Sequence, residues 1–201
     1  MSEPGRGAMV RANNEPELRI GTTDDRRPVR RFASSLALRV WAFSIGLALV
    51  GIALQFGFVV HHAPGSAPLQ LPWPLIAAGF CLAELKVVDV HFRREQHSFS
   101  LSEFPAVIGL FLLQPNDYVL AVLVGSAVAL ARAHQTPLKF VFNLTNFGLG
   151  ATAALAVFHL LATPTTTPTL SDWIAAFLAT LTTTVLSAVT IATAISLSGG
   201  A

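Results

Sequence analysis

Charge is what this chain has least of. Asp, Glu, Lys and Arg make up only 12% of its 201 residues, against about 25% in an ordinary soluble domain. With 53% hydrophobic residues and a mean hydropathy of +0.60, that scarcity excludes a solvated globular surface and places the chain in the integral membrane class. Cysteine is nearly absent. Cys81 stands alone in an expected span, so no intrachain disulfide forms and the residue reads as a small packing group. Catalytic signatures are missing as well: there is no nucleophile elbow, P-loop, HExxH or GxGxxG. No enzyme, catalytic residue, metal site or cofactor is therefore expected.

The charge that is present is unevenly placed. Seven of the 13 basic residues (Arg6, Arg11, Arg19, Arg26, Arg27, Arg30 and Arg31) precede Ser35. Residues 1–35 have no hydrophobic period and read as a disordered basic arm facing the cytoplasm and the lipid headgroups. With Phe32 as its single aromatic residue, the arm offers no folded basic surface of aromatic and base-reading groups, so nucleic acid is not an expected partner. Its length and the bilayer-long apolar run behind it argue against a cleaved signal peptide.

From there onward the pattern predicts an all-α integral membrane protein. Its expected spans are 36–60, 74–88, 101–113, 117–132, 138–162 and 172–197. The third and fourth are shorter than the roughly 20 residues of a full crossing, so they read either as short spans or as a re-entrant pair. Across 87–102, Val88, Val90 and Phe92 alternate with Asp89, His91 and Arg93. This predicts a small interfacial β-hairpin, with continuing helix as the rival. Six spans with an internal N-terminus put Arg93, Arg94, Arg132 and Lys139 in cytoplasmic connections. The opposite connections, 61–73, 114–117 and 163–171, contain no Lys or Arg. That satisfies the positive-inside rule and places both termini in the cytoplasm, with the plasma membrane as the expected location.

Ionisable groups near hydrocarbon persist when paired, hydrated or functional. The candidate ligand-binding or coupling residues are therefore Glu84, Lys86, Asp89, His91 and Glu103 in the charged island 83–105, together with Asn143 and Asn146. The blander alternatives are a helix end emerging into water, a dipole-facing acid at Glu103, and interhelical amide hydrogen bonds for the two asparagines. His61, His62, His91 and His159 show no spacing of a metal or haem ligand set. The threonines of 163–184 read as hydroxyls satisfied by their own helix or by loop water.

Several of these residues also carry a resemblance. Ala83-Glu84-Leu85 ends a helix, and the polar stretch His97-Ser98-Phe99-Ser100-Leu101-Ser102-Glu103 is followed by Pro105. A short Leu-rich segment then closes in Gln114-Pro115, and Lys139 and Phe142-Asn143 open the next span. In these features residues 82–149 resemble the N-terminal multi-pass membrane module of bacterial, especially actinobacterial, GGDEF/EAL cyclic-di-GMP signalling proteins. The resemblance implies a sensory or anchoring input to a cytoplasmic signalling domain. The sequence stops at the sixth span, without the catalytic domain such proteins carry, so no cyclase or phosphodiesterase activity is implied for it.

The expected function is a membrane sensory or anchoring module of a bacterial signalling system. The alternative is a small-solute transport component, since short broken helices beside polar residues are also a transporter device. Expected partners are the lipid bilayer, a cytoplasmic signalling domain or protein, and a second copy of the chain.

Overall fold

The computed structural model describes residues 26–59, 61, 71–85, 88–92, 95–99, 101–162 and 167–199, with 26–36, 88–92 and 95–99 described as backbone only. Six α-helices carry the fold: α1 (Arg26–Leu54), α2 (Trp73–Leu85), α3 (Glu103–Leu112), α4 (Pro115–Arg132), α5 (Pro137–Leu161) and α6 (Leu170–Leu197). Between α2 and α3, strands β1 (Val88–Phe92) and β2 (Glu95–Phe99) pair antiparallel, with Val90 opposite His97. The pairing follows the alternation of apolar and polar residues in β1.

Local chemistry sets the helix boundaries. Pro115 and Pro137 occupy the first positions of α4 and α5, where the missing N–H would have had no helical partner. Thr169 and Asp172 form a capping box at α6, with the Thr169 N–H donating to Asp172 Oδ2 at 2.7 Å. Helix α2 ends at Leu85, short of the expected 88, and both boundaries of α1 depart from the sequence expectation as well. Helix α1 begins at Arg26 rather than 36, so the basic residues from Arg26 onward are helical in backbone. Its far end does not run on as α-helix to 60, but passes into a π-turn over Gln55–Val59.

Among the described residues, three segments are long and apolar enough to cross a membrane: Ala37–Val59, Pro137–Leu161 and Leu170–Leu197. These lie in α1, α5 and α6, which pack on one another. The first turn of α4, Pro-Asn-Asp-Tyr, is polar, and α2 and α3 are short. At about 1.5 Å per residue, the 10 residues of α3 reach only half of a bilayer's hydrocarbon thickness.

Specific contacts fix the helix directions. The Leu71 N–H reaches the Leu112 carbonyl at 3.4 Å, so the start of α2 meets the end of α3. Only Leu113 and Gln114 separate α3 from α4. Phe43 stacks on Phe142 at 6.3 Å, and Gly51 faces the Leu149 backbone, so α1 and α5 run parallel. Phe111 meets both Phe158 and Trp173, at 5.2 and 5.1 Å, which joins the end of α5 to the start of α6. The helices thus alternate in direction. One end of the bundle gathers the π-turn, the α3–α4 link and the α5–α6 connection, and the other gathers the β-hairpin and the α4–α5 connection.

The core runs between the long and the short helices. Ile76, Ala77, Phe80, Leu110, Tyr118, Ala121, Leu155 and Ala175 belong to one buried cluster. Its tightest seat is at Gly125 of α4, where a Cβ would collide with the Ala77 carbonyl oxygen and come within 2.8 Å of Phe80 Cβ.

Candidate functional site

Among the described residues, Ser44 and Thr152 are buried polar groups that donate to carbonyls of their own helices, and two further groups of buried polar side chains join different helices, one inside the bundle and one at its π-turn end. The internal group joins α5 to α6. Asn146, buried, donates from Nδ2 to Ser187 Oγ at 3.1 Å and accepts at Oδ1 from Thr190 Oγ1 at 2.6 Å. Thr190 lies within reach of its own carbonyls at Leu186 and Ser187 as well. Along the same interface Thr183 lies 3.3 Å from the Gly150 carbonyl, where the glycine admits its methyl group. Asn146 and Thr190 are buried and bonded to each other, as hydrocarbon surroundings require.

The second group lies where α1 ends. Gln55 is only 6% exposed, yet it sits at the opening of the π-turn and turns its amide toward the start of α4. Its Nε2 donates to Asn116 Oδ1 at 2.9 Å. Its Oε1 is buried and has no hydrogen-bond partner. At the same end of the bundle, His159 Nε2 is likewise buried and unpartnered, with its ring 5.8 Å from that of Phe158. Ser126 Oγ, inside α4, is the remaining such atom among the described residues.

The residues singled out in the sequence fall as follows. Glu84 is half-buried in the last turn of α2, and Glu103 is exposed in the first turn of α3, as a dipole-facing acid would be. Asp89 and His91 lie on β1, opposite Ser98 and Gln96, and are described as backbone only. Lys86 lies outside the described residues, as does the arm 1–25. Asn143 and Asn146, expected on one helical face, have different partners. Asn143 donates to Gln135 Oε1 at 2.8 Å, just outside α5, whereas Asn146 bonds across to α6. Among the described residues, no three His, Cys, Asp or Glu side chains come together as a metal-ligand group.

Gln55 was legible in the sequence as a polar interruption of an apolar run, but its burial was not. The available signal was its position: an amide six residues before the first loop histidine, inside a stretch that otherwise carries only Leu, Val, Ile, Ala, Phe and Gly.

No known family, no curated protein and no solved structure matches the chain. Its function has to be argued from its own geometry.

Proposed function

We propose that the chain is a multi-pass membrane module that senses or anchors for a bacterial signalling system, without catalysis of its own. The observation that carries this is the alternation of helix directions. It brings the start of α1, the β-hairpin, the α4–α5 connection and the end of α6 to one end of the bundle. Every Lys and Arg after residue 35 except Arg39, which lies in the fourth turn of α1, falls in the hairpin region or beside the α4–α5 connection. That end faces the cytoplasm by the positive-inside rule. The long helices α1 and α6 both reach it, so a shift in either helix is delivered there. Glu84 and Glu103 flank the hairpin and Asp89 and His91 lie on its first strand, and with Lys86, next to them in sequence, they are the proposed coupling residues to a cytoplasmic partner or domain. All six helices cross the membrane, with α3 and α4 as short crossings beside a thinned bilayer.

A transport component is the second reading. The ten-residue α3 and its two-residue link to α4 favour it, because interrupted short helices line substrate paths in many transporters. One experiment addresses both orientation and role. Reporters that are active only in the cytoplasm or only outside, fused after Ala201, should give a cytoplasmic signal. An external signal removes the six-span arrangement. Glu84→Gln in cells should then alter the output of a fused signalling domain without altering uptake of any solute, and the reverse pattern favours transport.

A further inference from the structure

We propose that the Gln55 amide is a recognition point for a small neutral carboxamide, or for any group presenting N–H and C=O along one edge. An amide edge offers one donor and one acceptor side by side, and two facing amides close a pair of N–H···O bonds. At Gln55 one bond of that pair is made, Nε2 to Asn116 Oδ1 at 2.9 Å, and the other is missing, with Oε1 buried and unpartnered. Exchanging oxygen and nitrogen in both amides leaves the same edge, half used.

The present occupant is easily displaced. Asn116 is exposed, at the second position of α4, whereas Gln55 is held inside. Where Asn116 swings away, a carboxamide meets both atoms of the Gln55 edge at once. An alcohol meets them one at a time, and a carboxylate has no N–H to give. The start of α4 adds a second attraction. Pro115 has no N–H and the Tyr118 N–H donates to the Gln114 carbonyl, so the backbone N–H groups of Asn116 and Asp117, which receive no side-chain cap from Gln114, are the donors left there for a ligand carbonyl. The π-turn that carries Gln55 is a form of helix often found at functional sites, since the wider ring turns a side chain out of the regular stripe.

This site lies at the end of the bundle opposite the β-hairpin, so it is separate from the coupling surface. Only the side of the membrane from which the ligand arrives rests on the orientation proposed above. The probe is benzamide, with benzoate as its donor-free counterpart, titrated into the full chain in lipid nanodiscs and followed by saturation-transfer NMR and calorimetry. Benzamide should bind saturably and benzoate should not. Gln55→Leu should weaken benzamide binding at least tenfold, and Asn116→Ala, which removes the competing amide from an exposed position, should tighten it several-fold. The proposal is overturned if wild type and Asn116→Ala show no saturable benzamide binding, if benzoate binds equally well, or if Gln55→Leu binds as wild type does. Should Gln55→Leu fail to fold, the Asn116→Ala and benzoate comparisons decide by themselves. A reversed reporter orientation would leave all of these outcomes in place.

Discussion

Gly125 has almost no freedom to change, because the Ala77 carbonyl oxygen occupies the place of a side chain. Gly125→Ala should destabilise the folded bundle by about 1–3 kcal/mol through overpacking. Gly46→Ala, at a helical site with nothing within 4 Å, should be neutral or stabilising by at most about 1 kcal/mol. Reversible unfolding in mixed detergent micelles measures both, and equal effects would show that α2 and α4 do not meet as described. Asn146 makes the complementary case, where the side chain itself is the joint. Asn146→Leu removes the bonds to Ser187 and Thr190, and membrane-embedded hydrogen bonds average about 0.6 kcal/mol each, with a maximum near 1.7. The expected loss is about 1–2 kcal/mol, and a double-mutant cycle with Thr190→Val isolates the coupling between the pair. Gly125 did not disclose its role in the sequence, whereas the interhelical bonding of Asn146 was legible there and only its partners were not. A glycine in an apolar helix has many uses, and an asparagine names no partner until the neighbouring helix is in place.

At the scale of elements the sequence was far more informative. Apolar runs closed by Pro115, Pro137 and the Thr169–Asp172 pair mark helix starts through local physics, so α4, α5 and α6 begin within two residues of expectation. The alternation in Val88–Phe92 likewise marked the strand. The π-turn over Gln55–Val59 stayed hidden because one inserted backbone step leaves no mark on a hydrophobic run. The two short helices separate crossing from re-entry in a measurable way. In a background with Cys81→Ser, single substitutions Glu103→Cys and Gln114→Cys place thiols at the two ends of α3. Membrane-impermeant maleimide should reach position 103 from the cytoplasmic face and position 114 from the opposite one. Labelling of both from a single face would make α3 and α4 a re-entrant pair.

For the whole molecule, orientation rests on very few charges. Arg93, Arg94, Arg132 and Lys139 are the only basic residues beyond Arg39 apart from Lys86, and the positive-inside bias acts through such short connections. Replacing those four with Gln while adding two lysines to the 163–169 connection should divide the population between two orientations, read as mixed signals from the C-terminal reporters. Unchanged orientation would mean that the basic residues up to Arg39, with Lys86, are enough to set it. The Gly125 seat also bears on how the bundle moves. Where backbone lies against backbone, no flexible side chain is available to absorb sliding, so α2 and α4 are geared together and travel as one part. Relative motion is left to the seams lined by hydroxyls and amides, above all α5 against α6, where one set of polar partners can exchange for another. Under the sensory reading proposed above, a signal would register as a change of partner along that seam, with the α2–α4 pair as the fixed frame against which it is read.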